Sequence, residues 1–152
     1  MKLAEALQLR ADLQKRVSQL DSRLFSNARV QEGEQPAEDP MQLLTEQEAC
    51  YDELEALVRR INRTNSETVL PEGSLTALLA KRDRLTRQLQ GLRNFLDAAS
   101  DIAGRASRSE IKIKSTVDVR ALQKDVDRRS GELRTLEGTI QAANWTTELK
   151  ED

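Results

Sequence analysis

The sequence has no histidine and only one cysteine, Cys50, among its 152 residues. Histidine is the commonest general base and metal ligand in proteins, so its absence removes most familiar catalytic and metal sites. A single cysteine cannot form an internal disulfide or a cysteine-rich metal site. We therefore expect no enzyme, no metal and no cofactor, and we expect Cys50 to be a small packed residue. The cysteine usage also favours a reducing, cytoplasmic location.

Aromatic residues make up only 3% of the chain, and charged residues, at 33%, interrupt every hydrophobic run. No segment is apolar enough to predict a transmembrane helix, and the first residues do not resemble a signal peptide. The 24 basic and 26 acidic residues are interspersed and give a formal net charge of −2. A nucleic-acid-binding protein usually carries a basic excess on one element, so this balance disfavours nucleic acid as a partner.

What the sequence does contain is apolar residues spaced alternately three and four positions apart in four segments. This spacing is typical of helices that bury a narrow apolar stripe against another helix, as in coiled coils. It predicts a mainly all-α fold of four long helices, arranged as an antiparallel bundle or as helical hairpins. The predicted stripes are Leu3, Ala6, Arg10, Leu13, Val17, Leu20 and Leu24; Leu44, Gln47, Tyr51, Leu54, Val58 and Ile61; Leu75, Leu78, Arg82, Leu85, Leu89, Leu92, Leu96 and Ala99; and Val119, Leu122, Val126, Arg129, Leu133, Leu136, Ile140 and Ala143.

The length of the chain fits a single domain over residues 1–152. Glycine, proline and several acids between residues 27 and 38 predict a mobile loop. Two short runs rich in β-branched residues predict strands, and we expect them to pair as a ribbon because a lone strand cannot satisfy its backbone. The expected helices span residues 2–26, 40–64, 74–103 and 118–145, and the expected strands lie near residues 67–70 and 110–115.

Each predicted stripe is interrupted once by a polar residue: Arg10, Gln47, Arg82 and Arg129. Arginine is seldom buried without a carboxylate nearby, so these positions need partners. One interpretation is an anion or ligand pocket inside the bundle. The other, which we favour, is a polar layer that fixes helix register and oligomeric state.

A second cluster of polar residues closes the predicted second helix, and it comprises Arg59, Arg60, Asn62, Arg63 and Asn65. These side chains form a candidate recognition patch for phosphate or for an acidic partner. In the structural interpretation, arginines late in a helix complement its dipole, and Asn65 provides a left-handed C-cap. We favour the structural interpretation and keep the patch as the best candidate for recognition.

Trp145 follows the last stripe residue, and Leu149 lies one turn further along. A lone tryptophan near a terminus usually closes the end of a core or an interface. We therefore expect the C-terminal tail to be docked as far as Leu149, with residues 150–152 frayed.

Several short runs resemble the septicolysin-like family of bacterial proteins. They include Arg60-Ile61-Asn62-Arg63-Thr64-Asn65 and Asn144-Trp145-Thr146-Thr147-Glu148-Leu149, together with residues 1–7, 10–14, 109–112 and 115–119. The resemblance implies a helical fold and a bacterial origin. The family name implies a pore-forming toxin, although no segment has the character that a pore wall requires.

Three functions are consistent with these observations. The first is a structural or protein-interaction protein that forms a homo-oligomer through its helices and can also bind another protein. The alternative is an anion- or nucleic-acid-binding module that uses Arg59, Arg60 and Arg63. A membrane-active protein is the weaker alternative, which only the family name suggests.

Overall fold

The computed structural model describes residues 1–101 and 111–151. Within these residues the chain forms four long helices and one two-stranded antiparallel sheet, so the predicted fold class is confirmed. In chain order the elements are α1 (Leu3–Ser26), α2 (Pro40–Glu67), β1 (Val69–Leu70), β2 (Gly73–Ser74), α3 (Leu75–Ser100) and α4 (Val119–Thr146).

Short polar side chains start three of the helices: Asp39 for α2, Ser74 for α3 and, for α4, Asp118, whose carboxylate accepts from the Ala121 amide at 3.0 Å. The Asp39 carboxylate accepts a hydrogen bond from the Met41 amide at 2.9 Å, with Pro40 as the first residue of α2. The Ser74 hydroxyl accepts from the amide of Ala77 at the start of α3. Such caps satisfy backbone N–H groups that the helix itself leaves without acceptors. The positions of these helix starts therefore follow directly from the sequence.

The described chain divides into two compact units. Unit 1 comprises Met1–Leu70 and the chain from Ala143 onward, and unit 2 comprises Pro71–Ala142. The single domain over residues 1–152 stays a prediction.

Unit 1 contains an antiparallel hairpin of α1 and α2. Its apolar cluster joins Val17 and Leu20 on α1 to Leu43 and Cys50 on α2. Cys50 is thus a packed core residue, as the sequence predicts. The stripe predicted on α1 is the buried one, because its apolar members from Leu3 to Leu20 are buried.

The register predicted for α2 is wrong by one position at Leu44 and Tyr51, although Ile61 is buried as predicted. Leu44 and Tyr51, expected inside, are 45% and 49% exposed. Leu43 and Leu57 are 4% exposed instead and pack in the hairpin. The helix carries two adjacent apolar stripes with the same spacing, and α1 covers only one of them.

The loop predicted to be mobile is fastened at both ends. The Asn27 side chain donates to the Arg23 carbonyl at 2.8 Å and accepts from the Glu38 amide at 3.0 Å. The Arg23 guanidinium also pairs with the Glu38 carboxylate. These contacts hold the end of α1 against the approach to α2.

Unit 2 contains the hairpin of α3 with the part of α4 that lies before Ala143. Leu89 and Leu96 on α3 cluster with Val126 on α4, and further leucines of both helices pack around them. The Arg93 guanidinium donates to the Ser130 hydroxyl at 2.8 Å and links the two helices at their surface. The stripes predicted on α3 and α4 are the buried ones.

The ribbon exists, but its second strand is not the predicted one. β1 pairs with β2 across a tight turn, and residues 111–115 form no strand in the described chain. Gly73 has φ +134°, a conformation that favours glycine, and this allows the chain to reverse locally. Pairing of near neighbours costs less chain entropy than pairing with a distant segment. Glu110, included in the predicted strand, and residues 102–103 of the predicted third helix lie outside the described residues.

Candidate functional site

The chain that follows α4 runs as an extended segment along the first residues of α1. The Leu3 amide donates to the Thr147 carbonyl at 2.9 Å, and the Leu149 amide donates to the Met1 carbonyl at 2.8 Å. Lys2 and Glu148 form the antiparallel bridge between these bonds. The Leu149 side chain is only 6% exposed. We call residues 147–151 the tail.

The last turns of α2 hold the other side of the tail. Thr64, a fully buried residue, accepts a hydrogen bond from the Lys150 amide at 3.0 Å and donates to the Arg60 carbonyl at 2.7 Å. The Arg60 guanidinium donates to the Lys150 carbonyl at 3.2 Å and to the Glu151 carboxylate at 2.8 Å. Arg63 donates to the Glu151 carbonyl at 3.1 Å. Backbone and side chain of the tail are therefore both recognised.

Two carboxylates, those of Glu148 and Glu67, form ion pairs that hold the tail in place. The Lys2 ammonium lies 2.5 Å from the Glu148 carboxylate, and the N-terminal ammonium lies 3.3 Å from it. Hydrogen bonds, the larger effect from Lys2 and the smaller from the N-terminus, hold the pKa of Glu148 below its usual value. Hydrogen bonds from Lys150 and then from Arg63 likewise lower the pKa of Glu67. Both groups are ionised at neutral pH, and the tail is bound as a charged segment.

The predicted recognition patch lies partly at this site. Arg60 and Arg63 contact the tail, whereas Arg59 and Asn62 lie on the exposed surface of α2. Asn65 is half-buried and does not end the helix, because α2 continues to Glu67 and Thr68 is its C-cap. That the patch recognises a ligand stays a prediction.

Two predictions about the C-terminus are wrong, and one is confirmed. Leu149 is docked as expected, but Trp145 is 65% exposed and closes no core. Lys150 and Glu151 are not frayed, because Thr64 and the arginines of α2 bind them. Asp152 lies outside the described residues. A single leucine can anchor this segment because the backbone hydrogen bonds already fix its path.

The polar residues of the predicted stripes make contacts inside each hairpin. Gln47 on α2 donates to Asp21 on α1 at 2.7 Å. Arg129 on α4 donates to Asp125 at 2.9 Å and to Gln88 on α3 at 3.1 Å. Arg129 and then Arg128 lower the pKa of Asp125 by hydrogen bonding to its carboxylate. These links between helices favour the structural interpretation of a polar layer.

The other two polar stripe residues contribute less to their hairpins. Arg82 pairs with its sequence neighbour Asp83 at 3.1 Å, and Arg10 is half-buried on α1.

The outer side of α2 carries the second apolar stripe of that helix. We call Leu44, Tyr51, Leu54 and Val58 the outer stripe. Leu44 and Tyr51 are about half exposed, while Leu54 and Val58 are half-buried. Large apolar side chains repeated at this spacing on a surface are typical of a helix that binds another helix.

The model of a family of unknown function, DUF6847, matches residues 10–149. The chain belongs to this family. A solved structure is similar over 99% of both chains, with 43% sequence identity and a TM-score of 0.94; it is described as a functionally unknown conserved protein from Corynebacterium diphtheriae. No curated protein matches the sequence.

Membership of the DUF6847 family overturns the resemblance to septicolysin-like proteins, which is wrong. Each run that carried that resemblance is only four to seven residues long, which is too short to identify a family.

The described residues contain no candidate for a membrane-spanning helix or for a metal-binding cluster. None of the helices formed by residues 1–101 and 111–151 is long and apolar enough to cross a membrane. The same part of the chain contains no group of three or more carboxylate, cysteine or histidine side chains placed to hold a metal ion. The cytoplasmic location stays a prediction.

Proposed function

We propose that this protein is a non-catalytic interaction protein that pairs with a second copy of itself through the outer stripe of α2. The observation that carries the proposal is that α2 has two apolar stripes and the hairpin buries only one. Leu43 and Leu57 are used inside unit 1, while Leu44 and Tyr51 remain about half exposed.

The spacing of the outer stripe supports a helix as the occupant. Its members are separated by seven, three and four residues, which fits the repeat with which two helices pack along a common line. From Leu44 to Val58 the stripe extends about 21 Å, at 1.5 Å per residue. A contact of this length lies at the small end of specific interfaces, so we expect association at about micromolar concentration.

A second copy of the chain supplies a helix of matching length and spacing. A two-fold axis beside α2 places the outer stripe of each copy against the same stripe of the other, so Leu44 and Tyr51 of both copies are covered together.

The alternative anion-binding function is less well supported. Of the three arginines that it needs, Arg60 and Arg63 already donate hydrogen bonds to the tail. A phosphate or nucleic acid would have to displace those contacts. No observation favours the membrane-active function.

Light scattering on a size-exclusion column tests the proposal. The wild-type protein is expected to elute with a mass that rises with concentration from 17.2 kDa toward twice that value. The double variant Leu44→Glu, Tyr51→Glu is expected to stay at 17.2 kDa, because it puts charges into the stripe.

The matched control is Gln42→Glu, Ala49→Glu. It adds the same charge at the same seven-residue spacing on α2, at exposed positions away from the outer stripe. The control is expected to associate like the wild type. A wild type that remains at 17.2 kDa, or a control that dissociates as fully as the stripe variant, would contradict the proposal.

A further inference from the structure

We infer that the end of unit 1 is a binding site for an extended acidic peptide of another protein, and that the chain's own tail occupies this site in competition with that partner. The site is formed by residues 1–3 and by the last turns of α2, and it is separate from the outer stripe. The partner is identified by its chemistry. It is an extended segment in which an apolar residue directly follows one acidic residue, and a second acidic residue comes two positions after the apolar residue.

The first element of recognition is the backbone. The bonds from Leu3 to the Thr147 carbonyl and from Leu149 to the Met1 carbonyl use only main-chain atoms. Addition of an extended segment to another segment in this way binds peptides without regard to their side chains. Any extended peptide can therefore make these two hydrogen bonds.

The second element is a position for one apolar side chain. Leu149 is 6% exposed although the residues on both sides of it are polar. The amide of the next residue, Lys150, donates to Thr64, whose side chain is completely buried. Because this buried hydroxyl accepts a hydrogen bond from the amide directly after the apolar residue, it fixes the register of the bound segment.

The third element is a set of cations that selects acidic side chains. Glu148, which precedes the apolar residue, lies between the Lys2 ammonium and the N-terminal ammonium. Glu151, two residues after the apolar residue, pairs with Arg60 at 2.8 Å. The Arg60 side chain is only 24% exposed and is held in place by the surrounding chain, while the Glu151 side chain is 86% exposed. The Lys150 ammonium between them pairs with the Glu67 carboxylate, so the charges of the site complement the pattern acid, apolar residue, base, acid.

These contacts all come from the five residues of the tail, so a short extended peptide can supply them. A partner with the same pattern makes the same bonds once the tail has left. The tail has the advantage of being attached, which gives it a high local concentration. Weakening the tail is therefore expected to strengthen binding of a separate peptide.

The test uses the full chain with Leu149→Asp, and a fluorescently labelled peptide that copies residues 144–152. The variant is expected to bind this peptide at least about tenfold more tightly than the wild type, whose own tail competes. A peptide that carries Leu149→Asp itself is expected not to bind. Fluorescence anisotropy measures both affinities.

A second substitution in the Leu149→Asp protein tests the site itself. Arg60→Ala is expected to weaken peptide binding about tenfold or more, because it removes charge-assisted hydrogen bonds. The control is Arg16→Ala, which removes the same charge from unit 1 at a residue that pairs with Glu46. The control is expected to bind like its parent.

Hydrogen exchange of the wild-type protein tests the inference without any variant. The amides of Leu149 and Lys150 are expected to exchange by local release of the tail, about tenfold or more faster than the core amide of Leu20. Exchange of the tail only through global unfolding would overturn the inference. So would a folded Leu149→Asp protein that does not bind the peptide, or wild-type dimers that form by exchange of tails between copies.

Discussion

Replacing Leu149 by alanine tests how firmly the tail is held. The Leu149 side chain is 6% exposed, and truncating a buried leucine removes its transfer energy and leaves a cavity. We expect the free energy of unfolding to fall by about 2–3 kcal/mol, the low end for such substitutions, because a chain end can relax around the gap. Urea denaturation followed by far-ultraviolet circular dichroism measures the change.

Trp145→Ala is the comparison for this experiment. Trp145 is much larger than leucine, but it is 65% exposed, so its loss is expected to cost about 0.5 kcal/mol or less. Amide exchange at Lys150 is expected to accelerate in Leu149→Ala and to stay unchanged in Trp145→Ala. If the tryptophan substitution costs more than the leucine substitution, the account of the tail is refuted.

Three further outcomes are expected. Leu43→Ala should lower the free energy of unfolding by about 2–4 kcal/mol, and Leu44→Ala by less than about 1 kcal/mol, because only the Leu43 side chain is buried. Urea denaturation measures both losses, and equal losses would contradict the register of α2. The hydrogen bond from Lys2 lowers the pKa of Glu148, so its stabilising contribution is complete above the usual pKa and is lost as the pH falls through the lowered one. Glu148→Gln should therefore be less stable than wild type at about pH 7, and the difference should shrink as the pH falls below the usual pKa of glutamate; a difference that is undiminished in acid would show that the charge is not its cause. Gly73→Ala should lower the thermal midpoint, with a cost of about 1 kcal/mol or more, because φ at this residue is +134°; an unchanged midpoint would refute the strain.

Three of the four buried stripes could be read from the sequence, and α2 shows why the fourth could not. Leu43 and Leu44 are neighbours, and each begins a series with the same three- and four-residue spacing. Periodicity identifies a helix and its apolar sides, but it does not say which of two sides meets α1. The choice depends on packing against another part of the chain.

The tail site depends on contacts that no local pattern contains. Lys2 and Glu148 meet across almost the whole length of the chain. The arginines of α2 are recognisable in the sequence as a cluster, but the segment that they bind is not. Thr64 gave no signal at all, because a threonine near a helix end is ordinary until its hydroxyl is seen to accept from Lys150.

The prediction of the second strand of the β-ribbon failed for a different reason. A two-residue strand such as β2 has too few positions to show an alternating pattern, whereas the alternation at residues 110–115 is long enough to predict a strand. The turn at Gly73 depends on a backbone angle that the sequence allows without requiring it.

The most direct test of self-association is the chemical reactivity of Tyr51, the only tyrosine in the chain. Its side chain is 49% exposed on the outer stripe of a single copy. Nitration by tetranitromethane is expected to be fast in dilute protein and several-fold slower at concentrations where a second copy covers α2. A rate that is the same at all protein concentrations would contradict the pairing of α2 with a second copy.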